Sequence, residues 1–137
     1  MTIPISGFDH LAITVKDLDA ATAFYKRVLG AEKVRDYEAN GKVIVRQLQM
    51  GGAMFNVHQA GHGASSLVAT NPTPGSVDVC FRWNAPIKDA VDLLKREGVE
   101  IIIGPVDRES SSGKIGKSVY FRDPDGSLLE FLSVYET

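Results

Sequence analysis

The chain carries one cysteine in 137 residues, no strong excess of either charge and no long apolar run. Each scarcity closes off a class of protein. The lone thiol, Cys80 inside "SVDVCFRW", cannot make an internal disulfide, which fits a reducing cytoplasm and a small buried side chain. A net charge of −2 leaves no basic surplus for nucleic acid or an anionic membrane. No apolar stretch approaches the roughly 20 residues that span a bilayer. The opening "MTIPISGFDH" has neither a basic nor an apolar leader region, so no secretory signal is expected. A single cytoplasmic domain over residues 1–137, acting on a small molecule, is the class left standing.

What the sequence does contain is a repeat. "FDHLAITVKDLDAATAFYKRVLGAE" aligns without a gap on "SVDVCFRWNAPIKDAVDLLKREGVE" at an offset of 68, pairing Gly30 with Gly98 and Glu32 with Glu100. Each copy opens as a strand and turns to helical spacing, with Leu18, Ala21, Phe24, Tyr25 and Val28 on one face and Ile87, Ala90, Val91 and Leu94 on the other copy's face. Gly30 and Gly98 sit where a left-handed cap ends a helix.

Strands are predicted over 32–37, 42–49 and 53–58 in the first copy, and over 100–106, 117–122 and 127–135 in the second. "EANG" and "DPDG" mark turns within these sets. The fold class is therefore α+β. Two tandem βαβββ modules, about 6–60 and 76–135, are joined by a loop over about 61–75 rich in Gly, Ser, Thr and Pro.

Strand parity picks out four polar residues. On the first strand Leu11, Ile13 and Val15 share the side expected under the helix, which leaves His10, Ala12 and Thr14 on the open side. The repeat places Asp78 where His10 stands, and Asp78 shares its face with Cys80 and Arg82. His58 ends the fourth strand of the first copy. An offset of 72 carries it onto Glu130, which lies opposite Leu129 and Phe131. His10, His58, Asp78 and Glu130 thus form a candidate metal set, with Glu130 and Asp78 as candidate catalytic carboxylates.

Asp78 inside an apolar run points the same way, since burying an unpaired charge is costly. The same offset puts Arg46 with Ser118 and Leu48 with Tyr120. Arg46, Asn56, Arg82, Ser118 and Tyr120 are then the candidate substrate-binding residues, with an arginine able to hold a carboxylate or phosphonate. His62, in "GHG", is either a solvent residue or a lid element. "DRESSSGKIGK", with Lys114 and Lys117, is either a mobile lid or a plain connection.

The stretches "FDHLAITVKDLDAATAFYKRVLG", "FNVH", "GSVDVCF" and "VYFRDPDGSLLEF" resemble the vicinal oxygen chelate superfamily. That superfamily holds glyoxalase I, extradiol dioxygenases, fosfomycin-resistance enzymes and bleomycin-binding proteins. "GVEIIIGPV" and "SVYFRDPDG" further resemble a subgroup labelled biphenyl-2,3-diol 1,2-dioxygenase III-related, or virulence proteins. The resemblance implies a cup-shaped mixed sheet with helices outside, and a homodimer with two sites, either swapped, with His10 and His58 from one chain facing Asp78 and Glu130 from the other, or closed within one chain. It places the family's metal ligands on His10, His58, Asp78 and Glu130. Relative to bacterial glyoxalase I, an imidazole and a carboxylate have exchanged places at 58 and 78.

Imidazole and carboxylate donors without thiolate suit Ni²⁺, Zn²⁺, Fe²⁺, Mn²⁺ or Co²⁺. Such an ion favours isomerase or lyase chemistry of the glyoxalase I type on a substrate with vicinal oxygens, charge on the developing enediolate or alkoxide being stabilised. Extradiol ring cleavage with iron, or a non-catalytic small-molecule binding or resistance protein, are the alternatives. No glutathione-specific motif stands out.

Overall fold

Two helices and eight strands form among the described residues, 2–135, of a computed structural model. The first module runs β1 (Leu11–Val15), α1 (Leu18–Leu29), β2 (Glu32–Ala39), β3 (Lys42–Met50) and β4 (Ala53–Gln59). The second runs β5 (Asp78–Arg82), α2 (Ile87–Arg96), β6 (Ile103–Glu109), β7 (Ile115–Arg122) and β8 (Leu128–Ser133). Each module is βαβββ, as the repeat predicts.

Local chemistry explains the boundaries. Asp17 caps α1, its carboxylate accepting from the Ala20 N–H at 3.1 Å. Lys26 and Arg27 close its last turn, where the helix dipole favours cations. Gly30 then takes φ 66°, and its N–H donates to the Lys26 carbonyl. Gly98 plays the corresponding part after α2 at φ 70°. Between β2 and β3 the two-residue turn Asn40-Gly41 has positive φ at both positions, which matches the twist of a tight hairpin.

Each sheet has four strands, in the orders β1-β4-β3-β2 and β5-β8-β7-β6. The first two strands of each order pair in parallel and the rest are antiparallel, so both sheets are mixed. Parity behaves as predicted. Ile13, Val15, Phe55 and Val57 are buried beneath α1, and Val119, Phe121, Leu129 and Phe131 beneath α2. One apolar cluster unites both sets, with the Phe55 and Phe81 rings 5.7 Å apart.

A polar contact adds to this junction. The Tyr25 hydroxyl donates to Asp123 Oδ2 at 2.8 Å, linking α1 to the turn between β7 and β8. That turn is "DPDG". Asp123 Oδ1 also accepts from the Asp125 and Ser127 N–H groups, so one buried carboxylate organises it.

Strand boundaries shift most in the second module, where β6 begins at Ile103 instead of Glu100 and β7 at Ile115 instead of Lys117. β6 runs to Glu109 instead of stopping at Val106, because Asp107, Arg108 and Glu109 pair with Lys117, Gly116 and Ile115. A bulge between Ile103 and Val106, carrying the cis Gly104–Pro105 peptide, interrupts the pairing on the near side. β8 ends at Ser133, short of Tyr135.

Candidate functional site

Each sheet buries one face under its helix and leaves the other open, and strand register arranges the open faces in matching rows. In the second module one row holds Asp78 and Leu128, the next Cys80, Glu130 and Tyr120, and the third Arg82, Leu132 and Ser118. In the first module the corresponding rows hold Ala12, Asn56 and Gln47, then Thr14, His58 and Val45. His10 lies one residue before β1, at the position that the repeat makes equivalent to Asp78.

This register corrects one equivalence drawn from the sequence. The residue in Glu130's place is Asn56, and His58 matches Leu132. The offset of 72 is two residues short on β4, because the loop between β5 and β8 is longer than the offset allows. On β4 the change is concealed: Asn56 and His58 both point to the open side, so parity alone accepts either.

Arg46 is also corrected. It does not line the open face. Its neighbours on the same face are Leu48 and Met50, both buried beneath α1. The guanidinium donates to Asp36 Oδ1 at 2.8 Å, to Asp19 Oδ1 at 3.1 Å and to Thr22 Oγ1 at 3.1 Å. The Arg46 guanidinium holds the Asp36 carboxyl below its ordinary range. Arg46 is thus a strut between α1 and its sheet. Leu48 is likewise a core residue.

The open face of the first module has its own polar network. His10 Nδ1 lies 2.8 Å from Asp9 Oδ2, and donation to that carboxylate would leave Nε2 free to bind a metal. Gln47 Nε2 donates to Asn56 Oδ1 at 3.0 Å. His62 Nδ1 accepts from the Ala64 N–H at 3.0 Å, so in the neutral ring Nε2 carries the hydrogen. That Nε2 then donates to His58 Nδ1, 3.2 Å away. Burial, followed by the nearby rings of His62 and His10, holds His58 below the usual imidazole range. His58, His62 and Thr14 line a cavity of about 630 Å³ roofed by the loop after β4.

Glu130 lines a different cavity, of about 460 Å³, with Cys80, Arg82, Arg108 and Tyr120. Arg108 Nε donates to the Tyr120 hydroxyl at 2.9 Å. Desolvation raises the Tyr120 phenol, with Glu130 adding to the rise and Arg108 opposing it. Cys80 is exposed at its rim, yet desolvation and then the Glu130 charge push its thiol up to about 12. A thiol so disposed is a poor nucleophile at neutral pH. Ser118 is on this face but wholly buried, and its hydroxyl has no partner among the described residues.

Within one chain, His58 and Glu130 therefore face separate cavities. No group of three or more His, Cys, Asp or Glu side chains among the described residues is arranged to hold a metal ion. The sequence-predicted residues that the structure does group are Arg82, Tyr120 and Glu130. Two residues are missing from the sequence-predicted set: Gln47 is hidden by the Arg46 assignment, and Arg108 by a strand ended three residues early. His62, a solvent or lid residue by sequence, is joined to His58 by the structure.

Residues 7–131 match the Glyoxalase/Bleomycin resistance protein/Dioxygenase superfamily, and the chain belongs to it. Relatives in that superfamily include proteins named as an epimerase and a metallothiol transferase. Among individual relatives, the chain is 39% identical over 126 residues to the virulence protein STM3117 of Salmonella typhimurium, covering 92% of this chain and 83% of that protein. It is 30% identical over 137 residues to the ethylmalonyl-CoA/methylmalonyl-CoA epimerase of Cereibacter sphaeroides, covering 95% and 99%. The integron cassette protein VCH_CASS1 of V. cholerae superposes with a TM-score of 0.87 at 36% identity, covering 98% and 100%.

Proposed function

We propose that this chain is a divalent-metal-dependent enzyme of the glyoxalase I type, moving a proton on a small substrate with vicinal oxygens. It works as a homodimer in which the open face of the first module meets the open face of the partner's second module. The observation that carries this reading is the pair of matched rows, His10 with Asp78 and Asn56 with Glu130, on the faces that the helices leave uncovered. Superfamily members typically dimerise, which supports the pairing.

The donor set fits a first-row divalent ion: an imidazole with its second nitrogen held by Asp9, and two carboxylates. His10, Asp78 and Glu130 are assigned to it. The fourth position goes to the Asn56 amide oxygen in preference to His58. Rows are two residues deep, so His58 sits about 13 Å along the sheet from His10, at the limit for two imidazoles on one ion. When bound, the ion supplies Lewis-acid stabilisation to charge developing on a substrate oxygen.

The chain's own part is proton movement and orientation. Glu130 takes a proton from the carbon next to a substrate carbonyl and returns it to the neighbouring carbon in an isomerisation; in an epimerisation Glu130 serves one face of the carbon, and a second proton donor on the opposite face completes the inversion. Tyr120, held by Arg108, places a hydroxyl in the same row for a substrate oxygen. The likeness to an epimerase supports the proton-transfer reading over ring cleavage.

Elemental analysis of protein purified without chelator or affinity histidines tests this. Near-stoichiometric Mn, Ni, Zn or Co is expected, lost in His10→Ala and Glu130→Gln and retained in His58→Ala. Iron with O₂ uptake on catechols would move the protein to the dioxygenases. Failure to bind any of these ions after reconstitution would leave a small-molecule binding protein.

A further inference from the structure

Two arginines are held by carboxylates: Arg46 pairs with Asp36 and Asp19, and Arg27 with Glu97. Arg35, Arg82, Arg96, Arg108 and Arg122 have no ion pair among the described residues, and two of these share a cavity. Arg82 and Arg108 both line the cavity that holds Glu130. Arg82 has no hydrogen bond or ion pair among the described residues. Arg108 donates only to the Tyr120 hydroxyl and to the Asp107 carbonyl, and its guanidinium stands 5.5 Å from the Tyr120 ring centre. Those contacts hold the group without neutralising it.

The cavity also contains Glu109 and Glu130, so the arginines are not alone in charge. Neither carboxylate comes within 4.0 Å of a guanidinium nitrogen, the reach of an ion pair, so the forked donor edges remain free. Arg82 lies one row beyond Glu130 on the neighbouring strand. A substrate whose reacting carbon sits at Glu130 would extend its far end toward this pair.

We propose that Arg82 and Arg108 bind the anionic end of the substrate, so that the substrate class is a small oxyanion: a carboxylate or phosphonate bearing the reacting centre. Guanidinium suits this, since its planar fork engages two oxygens at once. The assignment rests on the proposed site only for the position of the reacting carbon. The anion pocket itself belongs to the second module and needs no metal.

The test is calorimetric titration with malonate and with methylphosphonate, each on the chelator-treated protein and on protein reconstituted with Mn(II) and dialysed. Dimethyl malonate serves as the neutral control. Wild type is expected to bind at least one anion in both preparations and to ignore the diester. Arg82→Gln and Arg108→Gln are expected to weaken binding at least tenfold, with Arg→Lys variants intermediate because charge remains but the fork is lost. A preference for malonate over methylphosphonate identifies the substrate as a carboxylate, and the reverse as a phosphonate.

Equal anion binding in wild type and both Gln variants would overturn the proposal, as would equal binding of the diester or no binding in wild type. Arginine-dependent binding in protein that takes up no Mn(II) would uphold the anion pocket and count against the metal site. Both arginines are exposed, so unchanged thermal melts are expected for the variants.

Discussion

Tyr25→Phe removes one oxygen from the junction between the modules. In the native chain that hydroxyl donates to Asp123 Oδ2 at 2.8 Å, with Tyr25 wholly buried and Asp123 6% exposed. Burial and the adjacent carboxylate push the phenol far above its usual range, so it stays protonated and remains a donor. Deleting it strands a buried carboxylate oxygen that water cannot reach. A hydrogen bond to a charged group contributes about 1.5–3 kcal/mol, and an abandoned partner keeps its desolvation cost. Against a total stability of about 5–15 kcal/mol, that loss is large.

Urea unfolding of wild type, Tyr25→Phe, Asp123→Ala and the double variant measures it. Asp123→Ala should cost more, because the Asp125 and Ser127 N–H groups lose their acceptor too. In the Asp123→Ala background, Tyr25→Phe should cost almost nothing. A loss below about 0.5 kcal/mol in the wild-type background, or equal losses in both, would refute the idea that this pair ties α1 to the "DPDG" turn.

Two further outcomes follow from the same geometry. Arg46→Gln should lower stability by about 1–2 kcal/mol by removing bonds to Asp36, Asp19 and Thr22, yet leave Mn(II) and malonate binding unchanged; a change in either affinity would return Arg46 to the site. His58 titrates below its ordinary value, so the unfolded chain takes up the proton first. Stability should therefore fall as pH drops from about 6.5 towards the folded value and level off beneath it. Urea midpoints at successive pH values should show that slope flattened in His58→Gln, and an identical slope would rule out His58 as its source.

Most of the architecture was legible because two periodicities were clean. Ile13 and Val15 against Ala12 and Thr14, and Leu129 and Phe131 against Glu130, each announced a half-buried strand. Helix ends were legible because Gly30 and Gly98 carry positive φ for a local reason. The site was less legible because it depends on register between strands, and register is not written in either strand alone. Asn56 and His58 share a face, so only the pairing of β4 with β1 tells which of them matches Glu130. Arg46 misled because a charged residue on a buried face looks like a pocket residue until Asp36, Asp19 and Thr22 are seen around it. Arg108 was lost because the polar run "DRESSSGKIGK" reads as a connection, while pairing with Lys117, Gly116 and Ile115 makes Asp107, Arg108 and Glu109 part of β6.

The shared site between protomers can be tested by subunit mixing. His10→Ala and Glu130→Gln proteins, each prepared alone, should fail to bind Mn(II) tightly. Unfolded together and refolded, they form heterodimers in which one site takes His10 from one chain and Glu130 from the other. Mn(II) binding, followed by electron paramagnetic resonance, should reappear at one ion per heterodimer, with heterodimer content counted by native mass spectrometry. Heterodimers that form and still bind no Mn(II) would contradict a metal site built from the first module of one chain and the second module of its partner.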